Sequence, residues 1–171
     1  SATSTLTVSV DATAATGSYV LTVTGTSGSL THKTTISLVV KAVQIIKACV
    51  EFKPEVLNLR CKGRWITCFI RLPKGYNVLD IDVTTIMLNG TIPAEPKAQV
   101  IRDCSGRVVG LMVKFDRAKV IQFILNSIHL TRKETTVKLT VTGSLKDGTQ
   151  FQGTDKIKVI LPRHHHHHRS N

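Results

Sequence analysis

Aromatic side chains are scarce in these 171 residues: one Trp, two Tyr and five Phe. A platform for single-stranded nucleic acid needs several rings on which bases can stack, so this supply weighs against that class. Acidic residues are also few, 11 Asp plus Glu against 23 Lys plus Arg, for a net charge of +12. No apolar run approaches the roughly 20 residues of a membrane helix, so no membrane span is expected. The four cysteines contain no C-x-x-C pair, which removes the common spacing of a zinc or thioredoxin-like motif. No Gly-rich phosphate loop follows a strand. His32 and His129 each sit in polar company, and Glu51, Glu55, Asp80, Asp82 and Asp116 form no evident acid/base pair. Neither an enzyme nor a cofactor is expected. The chain opens on Ser1 without an initiator Met or a signal-peptide pattern, and it reads as a processed product or a cut fragment.

What the chain has in quantity is Thr, Val and strict alternation. Leu6, Val8 and Val10 share one side of an extended segment, with Thr7 and Ser9 on the other. Tyr19, Leu21 and Val23 repeat the pattern, and Ile36, Leu38 and Val40 do so again. A period of two is the signature of a half-buried strand. Residues 1–44 are therefore expected to hold three strands, each with one apolar side. Three such strands do not close a core, so a partner chain or the second domain must complete them.

Residues 45–162 are expected to form a second, β-sandwich-like domain. Val50, Phe52 and Val56–Leu59 flank a break near Pro54, and Trp65–Leu72 is apolar on both sides. Val83–Leu88 leads into the turn dipeptide Asn89-Gly90. Ala98–Asp103 and Gly110–Phe115 bracket Cys104-Ser105-Gly106 as a hairpin, while Glu134–Thr142 and Phe151–Leu161 flank another turn at Lys146–Thr149. Between them the period changes. Val120, Ile121, Ile124, Leu125 and Ile128 recur at helical spacing behind Asp116, which predicts one short helix near 116–128 with Ile121 and Leu125 buried. The fold class is thus mainly β, of Ig-like or sandwich strands with one short helix in the second domain. Residues 163–171 are a His-rich tail.

Two resemblances follow from these residues. The stretch GSYVLTVTGTSGSLTHKTTISLVV, residues 17–40, resembles the closing strands of Ig-like repeats in archaeal and bacterial surface proteins. LNLRCKGRWITCFIRLPKGYNVLDIDVTTIMLNGTIPAEPK, GLMVKFDRAKVIQFI and LTVTGSLKDGTQFQGTDKIKVI resemble a β-rich domain that follows such repeats in archaeal extracellular proteins. The resemblance implies an exported, non-catalytic β module, extracellular or at the cell surface. It also implies an Asp-rich, calcium-holding turn between the hairpin strands. Here that turn reads Ile101–Arg107 with Asp103 as its one carboxylate, too few anionic oxygens for calcium.

The remaining candidates are few. An even number of cysteines in an exported β protein fits disulfides, so Cys49, Cys61, Cys68 and Cys104 are expected to pair, in one of three connectivities. Asn89-Gly-Thr91 is a glycosylation sequon. His164, His166 and His168, within a run of five histidines, are weak metal ligands of a tail or the remnant of a tag. The apolar positions Leu6, Val8, Val10, Leu21, Val23, Ile36 and Leu38 are candidate assembly strands. Two functions fit. One is a structural subunit of a surface layer or filament, a homo-oligomer or polymer joined by strand addition. The other is a basic module that holds an anionic glycan, cell wall or nucleic acid.

Overall fold

Alternating side chains build both halves of the molecule. A computed structural model describes residues 3–11, 13–127 and 133–161. The chain divides into two units, Ser1–Val43 and Gln44–Asn171. In the first, β1 (Gly17–Ser27) and β2 (Leu30–Val40) form an antiparallel ribbon. Its tight link uses Gly28, whose φ of 60° a β-branched side chain would resist. Residues 5–10 belong to no strand, so the three strands expected over 1–44 are two. An extended segment counts as a strand only when its backbone is paired, and among the described residues this one has no pairing partner.

The second unit contains β3 (Ile45–Lys47), β4 (Cys49–Lys53), β5 (Val56–Asn58), β6 (Trp65–Arg71), β7 (Ile81–Leu88), β8 (Ile92–Pro93), β9 (Gln99–Arg102) and β10 (Val108–Asp116). The helix α1 (Arg117–Ser127), β11 (Glu134–Leu145) and β12 (Gln150–Ile160) complete it. One sheet runs β4-β6-β10-β9; the other runs β3-β12-β11-β7-β8, with β5 also on β12. The class is mainly β, sandwich-like, with one helix. Inward positions of both sheets supply a single core: Val50, Phe52, Ile66, Cys68, Ile70, Leu111, Val113 and Phe115 from one, and Ile86, Leu88, Val137, Leu139, Val141, Phe151, Ile157 and Val159 from the other. Each such aliphatic or aromatic side chain contributes about 1.5–3 kcal/mol on burial.

The two sheets share a seam where the chain crosses between them. β3 and β5 both lie parallel to β12, at Gln150–Gln152 and at Lys158–Ile160. Between them the backbone leaves β12 to run as β4 in the other sheet. Gly153 makes room for this crossing. A Cβ there would stand 2.5 Å from Val50 Cγ1 and 2.8 Å from the Ala48 carbonyl oxygen. Asp155 then accepts the Phe52 backbone N–H at 2.9 Å, replacing a ladder bond that the departing strand cannot make.

On β11, Gly143 lies opposite Phe151, whose ring occupies the space a Cβ would take, 2.6 Å from Cζ. The β7–β11 pairing slips there, from Thr142–Met87 to Ser144–Asp82. Thr85 Oγ1 fills the gap, accepting from Ser144 N at 2.8 Å and donating to the Asp82 carbonyl at 2.7 Å.

The helix forms where period and cap agree. Asp116 Oδ1 accepts from Lys119 N at 3.1 Å, satisfying an otherwise unpaired N–H of the first turn. Val120 and Ile124 are fully buried, Ile121 is half-buried, and Leu125 is 52% exposed. The helical face is therefore turned from the expectation: it is centred on Val120 and Ile124, and Leu125 faces water. Ile128 and His129 lie outside the described residues, as do His164, His166, His168 and the tail.

Candidate functional site

The β1–β2 register sorts the ribbon's side chains into two faces. Tyr19 lies opposite Leu38 and Leu21 opposite Ile36, with Val23 and Val40 on the same side. The other face pairs Ser18 with Val39, Val20 with Ser37, Thr22 with Thr35 and Thr24 with Lys33. One face is thus apolar and the other largely polar. Tyr19, Val23 and Ile36 are 41%, 39% and 40% exposed, and Leu21, Leu38 and Val40 are half-buried. Leu6, Val8 and Val10 are exposed as well. His32 is exposed on β2.

A cleft of about 630 Å³ opens between the segment after β6 and the β9–β10 hairpin. Leu72, Tyr76, Asn77, Val78 and Asp80 line one wall; Arg102, Arg107, Val108 and Val109 line the other, with Gly75 and Gly106 also contributing. Its polar groups have fixed positions. Asn77 Oδ1 accepts Leu79 N at 3.0 Å, which leaves its amide NH₂ available. Arg102 Nη1 donates to the Gly106 carbonyl at 2.9 Å.

Asp103 organises the hairpin turn. It accepts from Ser105 N and Oγ at 2.9 and 2.6 Å and from Arg107 Nε at 2.9 Å. The Ser105 hydroxyl, aided by Arg107, holds its carboxyl below the ordinary value of 3.8. The turn thus satisfies its lone carboxylate with its own donors. Among the described residues no group of three His, Cys, Asp or Glu is placed to share a metal ion.

The cysteines do not pair. All four are free; Cys49, Cys61 and Cys104 are exposed and Cys68 is buried. The expected disulfides are thereby corrected. Cys49 and Cys68 lie on adjacent strands but out of register, opposite Arg71 and Phe52 respectively. Cys61 and Cys104 occupy separate loops. Cys68 points into the core, where desolvation, and then the charge of Asp155, pushes its thiol far up.

Asn89 has a structural task. It holds φ of 48° in the turn between β7 and β8, its N–H donates to the Thr140 carbonyl at 2.7 Å, and its Oδ1 accepts Thr140 N at 2.8 Å. The side chain thereby extends the β7–β11 ladder by one step.

Several other acids are also engaged. Lys53 bridges Glu51, at 2.8 Å, and Glu55. Asp82 takes Thr84 N and Oγ1. Sequence reasoning did not single out Arg117, which is 7% exposed. Its Nη2 donates to the Asn58 carbonyl at 3.1 Å, its Nε has no partner, and Gly63 packs against its guanidinium. A basic residue in the first turn after an N-cap carries no signal of burial; only the Asn58–Gly63 loop above it does.

Comparison with family models, with curated proteins and with solved structures finds no match. No helix among the described residues is long and apolar enough to cross a membrane.

Proposed function

We propose that the chain is a non-catalytic structural module of an extracellular layer or filament, and that its N-terminal ribbon joins copies by strand complementation. One observation carries this reading: the β1–β2 ribbon is a unit of its own whose face of Tyr19, Leu21, Val23, Ile36, Leu38 and Val40 has exposed apolar members. A two-stranded ribbon is marginal in water by itself, and an apolar face of this kind gains by being covered. The unpaired, alternating Leu6–Val10 segment supplies a further strand for such a partner. The resemblance of residues 17–40 to closing strands of surface-protein repeats points the same way.

The charge distribution gives less support to a module that works by binding polyanions over a broad surface. Lys138 and Lys156 lie opposite each other on β11 and β12, Arg102 and Arg107 line the cleft, and Arg60, Lys62 and Arg64 sit in the β5–β6 loop. These cations belong to different elements of the second unit.

Sedimentation velocity of the full chain from micromolar to near-millimolar concentration tests assembly. The wild type should associate, and L21K combined with I36K should remain monomeric with an unchanged near-ultraviolet circular dichroism spectrum. A wild-type chain that stays monomeric throughout would refute the proposal.

A further inference from the structure

The cleft beside Tyr76 is independent of the ribbon and has the composition of a ligand site. Its volume of about 630 Å³ falls in the roughly 300–1,000 Å³ range of small-molecule pockets. It brings together three kinds of group that one ligand class uses at once.

Tyr76 is one of eight aromatic residues in the chain and is 39% exposed at the cleft wall. Tyr carries a flat apolar ring with a polar tip, so a flat, partly apolar partner in the cleft would gain by covering it. Arg102 and Arg107 supply cationic planar donors. Arg107 is paired through Nε with Asp103 at 2.9 Å, and Arg102 gives one Nη1 hydrogen bond to the Gly106 carbonyl. Both keep terminal N–H donors, and Arg102, whose one bond is to a neutral carbonyl, keeps its charge for an incoming anion. Asn77 and Asp80 stand on the opposite wall, one with a free amide donor and one with a carboxylate acceptor. An acceptor carboxylate in a site that also holds arginines suits a ligand with neutral hydroxyls beside its negative charge. It suits a chain of closely spaced phosphates poorly, because Asp80 would repel them.

We infer that this cleft binds an acidic saccharide. Tyr76 lies against the C–H face of one sugar ring, Arg102 pairs with a ring carboxylate, and Asn77 and Asp80 exchange hydrogen bonds with hydroxyls. The open shape admits a residue within a longer glycan. A structural module of a surface layer would in this way hold a matrix polysaccharide as well as its neighbours.

The test is calorimetric titration of the full-length chain with a galacturonic acid tetramer, a neutral galactose tetramer and a single-stranded DNA oligomer. The acidic saccharide should bind, with the neutral one at least tenfold weaker. Y76A and R102A should each weaken binding at least tenfold, Y76F less than threefold, and K138A, on the far strand β11, less than twofold. Y76F preserves the ring, so it separates lost stacking from a disturbed loop, and Trp65 fluorescence reports whether each variant folds. No binding at millimolar saccharide overturns the inference. So does binding that Y76A and R102A leave unchanged, equal affinity for the neutral tetramer, or tighter binding of the oligonucleotide. None of these outcomes bears on whether the chain assembles, which sedimentation reads separately.

Discussion

Cys68 shows how one position is decided by its neighbours. Along β6, Trp65, Thr67 and Phe69 face one way and Ile66, Cys68 and Ile70 the other. The second set is buried at or below 1% exposure, so Cys68 acts as a small apolar residue of the core. Its thiol is reactive only as thiolate, and burial suppresses that form. The three other cysteines are exposed. Thiol labelling of the native, unreduced chain at neutral pH should therefore modify Cys49, Cys61 and Cys104, with Cys68 reacting only after unfolding. Four labels in the denatured, unreduced protein confirm free thiols; fewer than four would restore the disulfides. The sequence offered only an even number and a β-rich context. It placed Cys104 in a hairpin turn, but whether that turn meets the one that holds Cys61 depends on pairing between strands far apart in the chain.

At the scale of elements, α1 offers a sharp contrast between neighbouring apolar residues. Ile124 has no exposed surface and Leu125 is half in water. I124A should cost about 2–5 kcal/mol as a core truncation, whereas L125A should stay within about 0.5 kcal/mol, as surface changes do. Urea unfolding of the two variants decides it; equal losses would restore the face centred on Ile121 and Leu125. The sequence showed the period but not the phase. Six apolar residues between 120 and 128 make a wide stripe, and the sheet beneath chooses its centre. The strands of the second unit were legible for the same reason: alternation marks a buried side regardless of partner, and it located β6, β7, β9, β10, β11 and β12. Their order was not legible. β6 finds β10, and β3 and β5 find β12, across long stretches of chain, and nothing local encodes those distances. The close approach at Gly153 and the carboxylate bridge of Asp155 follow from that crossing and were equally hidden. The Tyr76 cleft was hidden too, since Tyr76 and Arg102 are joined only by the hairpin's docking.

For the molecule as a whole, the two units differ in how their backbone hydrogen bonds are protected. In the second, each of β6, β10, β11 and β12 has a strand on both sides and a shared core beneath. In the first, β1 and β2 have only each other among the described residues, and their apolar face includes exposed Tyr19, Val23 and Ile36. Amides of a ribbon with so little burial open readily, near the low end of local stability. Covering that face with a neighbouring copy would raise the cost of opening, because a ligand that binds the closed form stabilises it by mass action. Hydrogen exchange at two protein concentrations reads this directly. At about 1 μM, amides of Tyr19–Val23 and Ile36–Val40 should exchange at least tenfold faster than at a concentration where the chain is associated. Amides of β6, β10 and β11 should be slow and indifferent to concentration. Ribbon amides that are slow at both concentrations would mean that β1 and β2 are stable without a partner, and the apolar face would then need a different explanation from assembly.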